Sequence, residues 1–263
     1  MTFYTQIHDF KEYSINKTKQ IGIIQAPPYK DSVDYKKNII SLVGKALWKK
    51  NCDWIIISQE TSNAMLDSSI AKLMSEHERD LIIITGAYTH QEEKRSTVLV
   101  KKGKNIKCFF QKQLLEKDDD ADVYRHLFIN TGMGNFSVLI AGDSINEADI
   151  KNLSGLVDTL VVIANNTKDK TFSQCLEKYC HESYMTICYA NQTMSSNDDK
   201  ISKKQADNSA FFIPYKNSSK RRIEITVEEN GSMIFSPLNI ESFEEGKKGK
   251  EPAYPNPDGP ELA

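Results

Sequence analysis

The sequence is short of most features that announce a function. No apolar run approaches the ~20 residues that cross a bilayer as a helix, and residues 1–20 are polar, without the apolar core of a secretion signal. A cytoplasmic protein with no membrane partner is the expectation. The five cysteines, Cys52, Cys108, Cys175, Cys180 and Cys188, are odd in number and never spaced C-x-x-C. They fit reduced, mostly buried thiols better than a disulfide framework. The five histidines (His8, His77, His90, His126 and His181) show no paired spacing, so no metal site and no cofactor is expected. Neither charge is in excess: Lys+Arg 34 stands against Asp+Glu 36, a net charge of −2. Bulk attraction to nucleic acid is therefore not expected.

What is present is the composition of a globular protein, 39% hydrophobic and 27% charged. A chain of 263 residues buries roughly three quarters of its unfolded surface, enough for a core without staples. Apolar runs alternate with amphipathic ones. Residues 20–25 (QIGIIQ), 53–58 (DWIIIS) and 81–85 (LIIIT) predict buried strands. Residues 34–50 place Ile39, Ile40, Val43, Ala46 and Leu47 at three- and four-residue steps, and residues 67–77 do the same with Ile70, Leu73 and Met74. That spacing predicts helices. Residues 96–100 and 106–111 flank the turn Lys101-Lys102-Gly103-Lys104-Asn105 and predict a hairpin. Strands are predicted at 138–140, 157–163 and 184–189, helices at 148–153 and 172–183, and short strands at 211–214, 222–227 and 233–235.

Continuous apolar strands interleaved with helices predict an α/β layered fold, its strands buried on both faces. The hairpin and the β-rich last third predict mixed sheets. Residues 1–243 form one expected domain; residues 244–263, rich in Gly, Pro, Lys and Glu, are an expected flexible tail or linker. The polar stretch 191–208 predicts a long surface loop, and the basic cluster from Lys101 to Lys107 a solvated strand end.

Three apolar runs lead to positions with a shared topology. Glu60 lies just past 53–58, Lys112 closes 106–111, and Phe136 to Asp143 (FSVLIAGD) ends on a small polar turn. In layered α/β folds, sites gather at the C-terminal ends of strands. A carboxylate, an ammonium and a nucleophile on three such ends make a hydrolase that works through a covalent intermediate. Here the third position holds Ala141.

With these residues the chain resembles the nitrilase, or carbon–nitrogen hydrolase, superfamily. The family glutamate follows an apolar strand in a segment like ADLIVFPE, matched by Asp53 to Glu60. The family lysine lies in a segment like YRKRHL, matched by Phe110-Gln111-Lys112-Gln113-Leu114-Leu115. The family cysteine lies in a segment like GKIGVLICYD, matched by residues 134–143, with Ala141 in the place of the cysteine and Gly142 in that of the aromatic residue. Phe128-Ile129-Asn130-Thr131-Gly132 and Cys188-Tyr189-Ala190-Asn191 are also similar to the family, and Glu116 is the nearest match to its second glutamate. The likeness runs from Ile21 to Asn191, and more weakly to Pro237.

The resemblance implies a nitrilase-type αββα sandwich with two mixed central sheets, pairing into a homodimer or larger homo-oligomer. It implies a small amide-like substrate and hydrolysis of a non-peptide carbon–nitrogen bond, with Glu60 as base and Lys112 as oxyanion stabiliser. Alanine at the nucleophile position closes the covalent route; in a well-studied hydrolase, losing the nucleophile costs on the order of a millionfold in rate. Two readings follow: an enzyme inactive in this form, or a natural pseudoenzyme serving as a ligand-sensing or assembly module. A third is an unrelated α/β domain with no site here. Ser144 is offset by three residues from position 141 and makes a poor substitute nucleophile. Cys188 falls too late in the chain and reads as a buried strand cysteine.

Overall fold

The computed structural model describes residues 6–10, 18–25, 32–58, 64–90, 93–112, 126–131, 134–141, 150–151, 153–164, 171–192, 208–214, 222–224 and 232–239. The strands are β1 (Gln6–Phe10), β2 (Thr18–Gln25), β3 (Trp54–Ile57), β4 (Leu81–Ile84), β5 (Tyr88–His90), β6 (Glu93–Lys102), β7 (Asn105–Lys112), β8 (Leu127–Thr131), β9 (Gly134–Ile140), β10 (Thr159–Ala164), β11 (Thr186–Asn191), β12 (Ala210–Phe212), β13 (Arg222–Glu224) and β14 (Ser232–Asn239). The helices are α1 (Val33–Gly44), α2 (Ala64–Ser75) and α3 (Thr171–Ser183).

Two seven-stranded sheets result. The first has the order β1-β8-β9-β10-β11-β12-β13. In it β9, β10 and β11 are parallel neighbours, whereas β12 and β13 add antiparallel. The second has the order β14-β2-β3-β4-β6-β5, with β7 on the other side of β6. There β2, β3 and β4 are parallel, and β14, β6 and β7 join antiparallel. Both sheets are mixed, as the hairpin and the β-rich last third predict.

Burial explains the layering. β3 (WIII), β4 (LIII) and β10 (TLVVIA) are buried along their whole length, so each must be covered on both faces. Between the sheets, Ile21, Ile23, Ile56, Ile82 and Val98 meet Phe136, Val138, Ile140, Val161 and Cys188. The Trp54 and Phe136 rings lie 4.7 Å apart there. On the outer face of the second sheet, Ile55, Ile57 and Ile83 pack with Ile39 and Val43 of α1 and Ile70 and Met74 of α2. On the outer face of the first, Leu160, Val162 and Ile187 pack with Leu176 and Cys180 of α3. The order helix, sheet, sheet, helix is the αββα sandwich.

Local chemistry sets the element ends. Ser32 Oγ accepts from Tyr35 N at 3.1 Å and caps α1. The helix predicted to run on to residue 50 instead ends as α-helix at Gly44 and continues as one π-helical segment, Lys45–Lys49. Tyr184, at φ 51°, turns the chain out of α3, so the strand predicted from 184 begins at Thr186. Gly103, at φ 56°, makes the hairpin turn.

Other differences from the sequence reading are instructive. β1, β5 and β8 were not expected as strands. Lys101 is not solvated: it is 2% exposed, and its Nζ donates to the carbonyls of Arg79 and Gly103. The stretch predicted as a surface loop begins with buried residues, Asn191 and Gln192. The expected tail, residues 244–263, lies outside the described residues. Among the described residues, no helix is long and apolar enough to cross a membrane.

Candidate active site

Strand directions bring the C-terminal ends of β3, β7 and β9 to one end of the sandwich. β2, β3 and β4 run parallel. β7 is two antiparallel steps from β4 and so runs the same way. In the other sheet, β9, β10 and β11 share a direction. A buried polar network shows that the two sets of C-terminal ends coincide. Gln25, the last residue of β2, accepts through Oε1 from Ser209 N at 2.8 Å. Ser209 Oγ accepts from Asn191 N at 2.9 Å and donates to Asn191 O at 3.2 Å, at the end of β11. Gln111 Oε1 likewise accepts from Leu127 N at 2.8 Å, where β8 begins. Thus Ser58 after β3, Lys112 at the end of β7 and Ala141 after β9 all stand at this end.

Ala141 is 3% exposed, and its N–H donates to Ile163 O of β10 at 2.9 Å. Its methyl lies in the layer between the first sheet and α3, together with Leu139 and Ala164. Lys112 is the backbone register partner of Arg95 in the β6–β7 ladder. Glu60, Glu116, Asp143 and Ser144 lie outside the described residues, as does the side chain of Lys112.

Sequence reasoning missed the polar cap of this end. Gln25, Ser58, Gln111, Asn191, Gln192 and Ser209 are uncharged, and none is more than 4% exposed. Gln192 Oε1 has no hydrogen-bond partner among the described residues. Buried acceptors of this kind ordinarily have partners. The signal was present in the sequence as Gln or Ser closing an otherwise apolar strand, in QIGIIQ and WIIIS.

The cysteines offer no replacement nucleophile here. Cys188 lies inside β11, and full burial pushes its thiol far up. Cys52 and Cys180 are each pushed up to about 12, chiefly by burial. Such thiols stay protonated and inert. Cys108 and Cys175 are exposed but sit within β7 and α3, away from the strand ends.

Two mixed sheets face to face between helix layers are the architecture of the nitrilase, or carbon–nitrogen hydrolase, fold. Solved structures bear this out. Glutamine-dependent NAD+ synthetase from Acinetobacter baumannii superposes with a TM-score of 0.62 at 16% identity, over 86% of this chain and 46% of its own. The chain thus spans less than half of that protein. A carbon–nitrogen hydrolase from Helicobacter pylori G27 gives 0.62 at 11% identity, over 88% of this chain and 93% of its own. A cysteine-to-alanine mutant of the amidase from Nesterenkonia sp. AN1, in complex with butyramide, gives 0.60 at 11% identity, over 86% and 93%. No family model and no curated protein matches the sequence.

Proposed function

We propose that this chain is a carbon–nitrogen hydrolase framework that binds a small amide at the capped end of the sandwich and does not turn it over, because position 141 carries no thiol. The observation that carries this reading is the convergence of the ends of β3, β7 and β9 beside a buried cap of uncharged amides and hydroxyls. An amide offers two N–H donors and a carbonyl acceptor, which such groups can complement. The amidase that superposes on this chain was itself solved with butyramide and with alanine in place of a cysteine.

In this reading Glu60 is the base, Lys112 the oxyanion stabiliser and position 141 the nucleophile's place. With cysteine there, Glu60 takes the thiol proton and the sulfur attacks the amide carbon. Charge builds on the carbonyl oxygen, where the ammonium of Lys112 stabilises it. The C–N bond breaks, the amine leaves with the proton held by Glu60, and water then hydrolyses the thioester. With Ala141 no carbon–sulfur bond forms and the amide stays whole. The chain would act in the cytoplasm as a homodimer or larger homo-oligomer, through one domain of residues 1–243.

The Ala141→Cys variant tests this against a panel of small aliphatic amides. Ammonia release and an acyl adduct in the intact mass are the expected results, both abolished by adding Glu60→Gln. No hydrolysis and no adduct across the panel would refute the hydrolase reading. Gly142, where the family carries an aromatic residue, favours a second reading, a ligand-sensing or assembly module. Amide binding by the unaltered chain, with no hydrolysis gained in Ala141→Cys, is the result that would select it.

A further inference from the structure

Just past the end of α2, groups from separate parts of the chain close on one histidine. His77 is 9% exposed, and its Nδ1 accepts from Arg79 N at 3.2 Å, so the neutral ring carries its proton on Nε2. The Arg79 side chain in turn holds the far end of α1. Its guanidinium donates to Leu47 O at 3.2 Å, to Asn51 O at 3.1 Å and to Asp53 Oδ1 at 3.2 Å. The Arg79 carbonyl accepts from Lys101 Nζ at 3.3 Å. The Trp48 ring, 48% exposed, has its centroid 5.6 Å from that of His77.

What these groups hold is an uncommon turn. Residues 45–49 are π-helical, Lys50 N donates back to Lys45 O at 3.2 Å, and Asn51 sits at φ 53°. Short π-helical segments are rare and recur at working parts of proteins. Cys52, fully buried, is tied to the turn by its N–H, which donates to Ala46 O at 3.0 Å.

A proton on His77 works against this arrangement. Nδ1 gains a hydrogen and stops accepting from Arg79 N. Burial, then the Arg79 guanidinium and the Lys101 ammonium, disfavour the charged ring and hold its pKa below the ordinary imidazole value. The Leu47 carbonyl and the Asp53 carboxylate act the other way and are outweighed. The other charged groups of the adjoining segments are Lys72, Glu76, Glu78 and Asp80 on its own stretch, Lys45, Lys49 and Lys50 around the π-helical turn, and Lys102 and Lys104 on the hairpin. All are at least partly exposed, where water and salt screen them. The opened chain therefore binds the proton more readily than the closed one. The closed form is favoured in full above the ordinary value of about 6.5 and loses ground as pH falls below it.

We propose that His77 is an acid-released latch: protonated, it lets go of Arg79, and residues 45–52 with Trp48 lift away while both sheets stay intact. The chain has two tryptophans, and Trp54 is buried between the sheets, so a change in emission reads Trp48. Emission is followed from pH 8 to pH 5, together with labelling by 4,4′-dithiodipyridine, a thiol reagent that works in acid, mapped by peptide mass. One emission transition below pH 6.5 is expected, absent in Trp48→Phe. Cys52 is expected to react roughly tenfold faster or more at pH 5 than at pH 7.5, while Cys188 stays unlabelled. Both changes disappear in His77→Asn, whose amide oxygen replaces Nδ1 as acceptor and takes no proton. Lys101→Met removes one opposing cation and moves the transition to higher pH, a shift that a merely structural histidine does not give. Absence of a transition, a transition that survives His77→Asn, an emission change without labelling of Cys52, or labelling of Cys52 and Cys188 together overturns the latch. Should His77→Asn fail to fold, Lys101→Met decides: a transition at higher pH supports the latch and an unmoved one overturns it.

Discussion

Replacing Gln25 by methionine tests whether one buried side chain holds the two sheets in line at the capped end. Gln25 is 1% exposed, and its Oε1 accepts from Ser209 N at 2.8 Å, across 184 residues of sequence. Methionine matches its length and deletes only the acceptor. Ser209 is fully buried, so water does not replace the lost partner and its N–H is orphaned. Such an orphan costs about 1–3 kcal/mol, while the more apolar side chain returns a fraction of that. A net loss of about 1–2 kcal/mol is expected. With a urea m-value of about 3 kcal/mol/M, the midpoint falls by roughly 0.3–0.7 M at unchanged m. Ser209→Ala leaves Asn191 N without its acceptor and loses a similar amount. The double variant loses less than the sum, because the two bonds share one residue. A Gln25→Met midpoint within 0.1 M of the parent, or losses that add fully in the double variant, would refute the account of the network.

Two further outcomes follow from local geometry. A Cβ at Gly134 meets the Asp158 carboxylate, with Cγ at 2.9 Å, and φ there is 101°. Asp158 Oδ2 accepts from Asn135 N at 2.8 Å, so Gly134→Ala adds a broken bond to the strain and costs about 2–3 kcal/mol, against about 1–2 kcal/mol for Gly103→Ala, where nothing lies within 4 Å; equal midpoints in urea would contradict this. Iodoacetamide at pH 8 is expected to label the exposed Cys175 first and then Cys108, whose thiol is raised by burial and by Asp67; Cys52, Cys180 and Cys188 label only in denaturant, and a native adduct on Cys188 by peptide mass mapping would overturn its burial.

The parts of the fold that were legible in the sequence are those whose cause is local. Trp54 to Ile57 and Leu81 to Ile84 are unbroken apolar runs too short for helices, and they became buried parallel strands. Ile39, Val43, Ile70 and Met74 announced by spacing the helix faces that cover them. β5 escaped because YTH has no run of its own; pairing with the first residues of β6 makes it a strand. Lys101 belongs with it. Nothing in its neighbourhood tells that the Arg79 carbonyl, 22 positions away, will accept its proton. Glu60 lies outside the described residues, while the ends of β3, β7 and β9 were legible as positions. Which layer each side chain enters was not, since that depends on register with strands remote in sequence. Ala141 shows the point: alternation along β9 sends Val138 and Ile140 between the sheets and leaves Leu139 and Ala141 on the α3 side.

The cap also bears on whether this end is a site or merely a closure. A sandwich selected for stability alone would close its inter-sheet core with leucine or methionine, since buried hydrogen-bonded pairs can often be exchanged for apolar groups of like shape at little cost. At the opposite end Lys101 turns to backbone carbonyls, Asp53 pairs with Arg79 at 3.2 Å near the surface, and the hydroxyls of Thr159 and Thr186 are buried where β10 and β11 begin. At the capped end, the buried amides and hydroxyls include Gln25, Ser58, Gln111, Asn191, Gln192 and Ser209. Four of them, Gln25, Gln111, Asn191 and Ser209, take part in hydrogen bonds that tie one sheet to the other or β11 to the start of β12. A fifth, Gln192, keeps an acceptor without a described donor. Bonds that fix the sheets explain the four. They do not explain the fifth, nor the buried Nε of Arg95, which has no hydrogen-bond partner among the described residues. The Gln192 acceptor is a group that an N–H of the amide proposed above would satisfy.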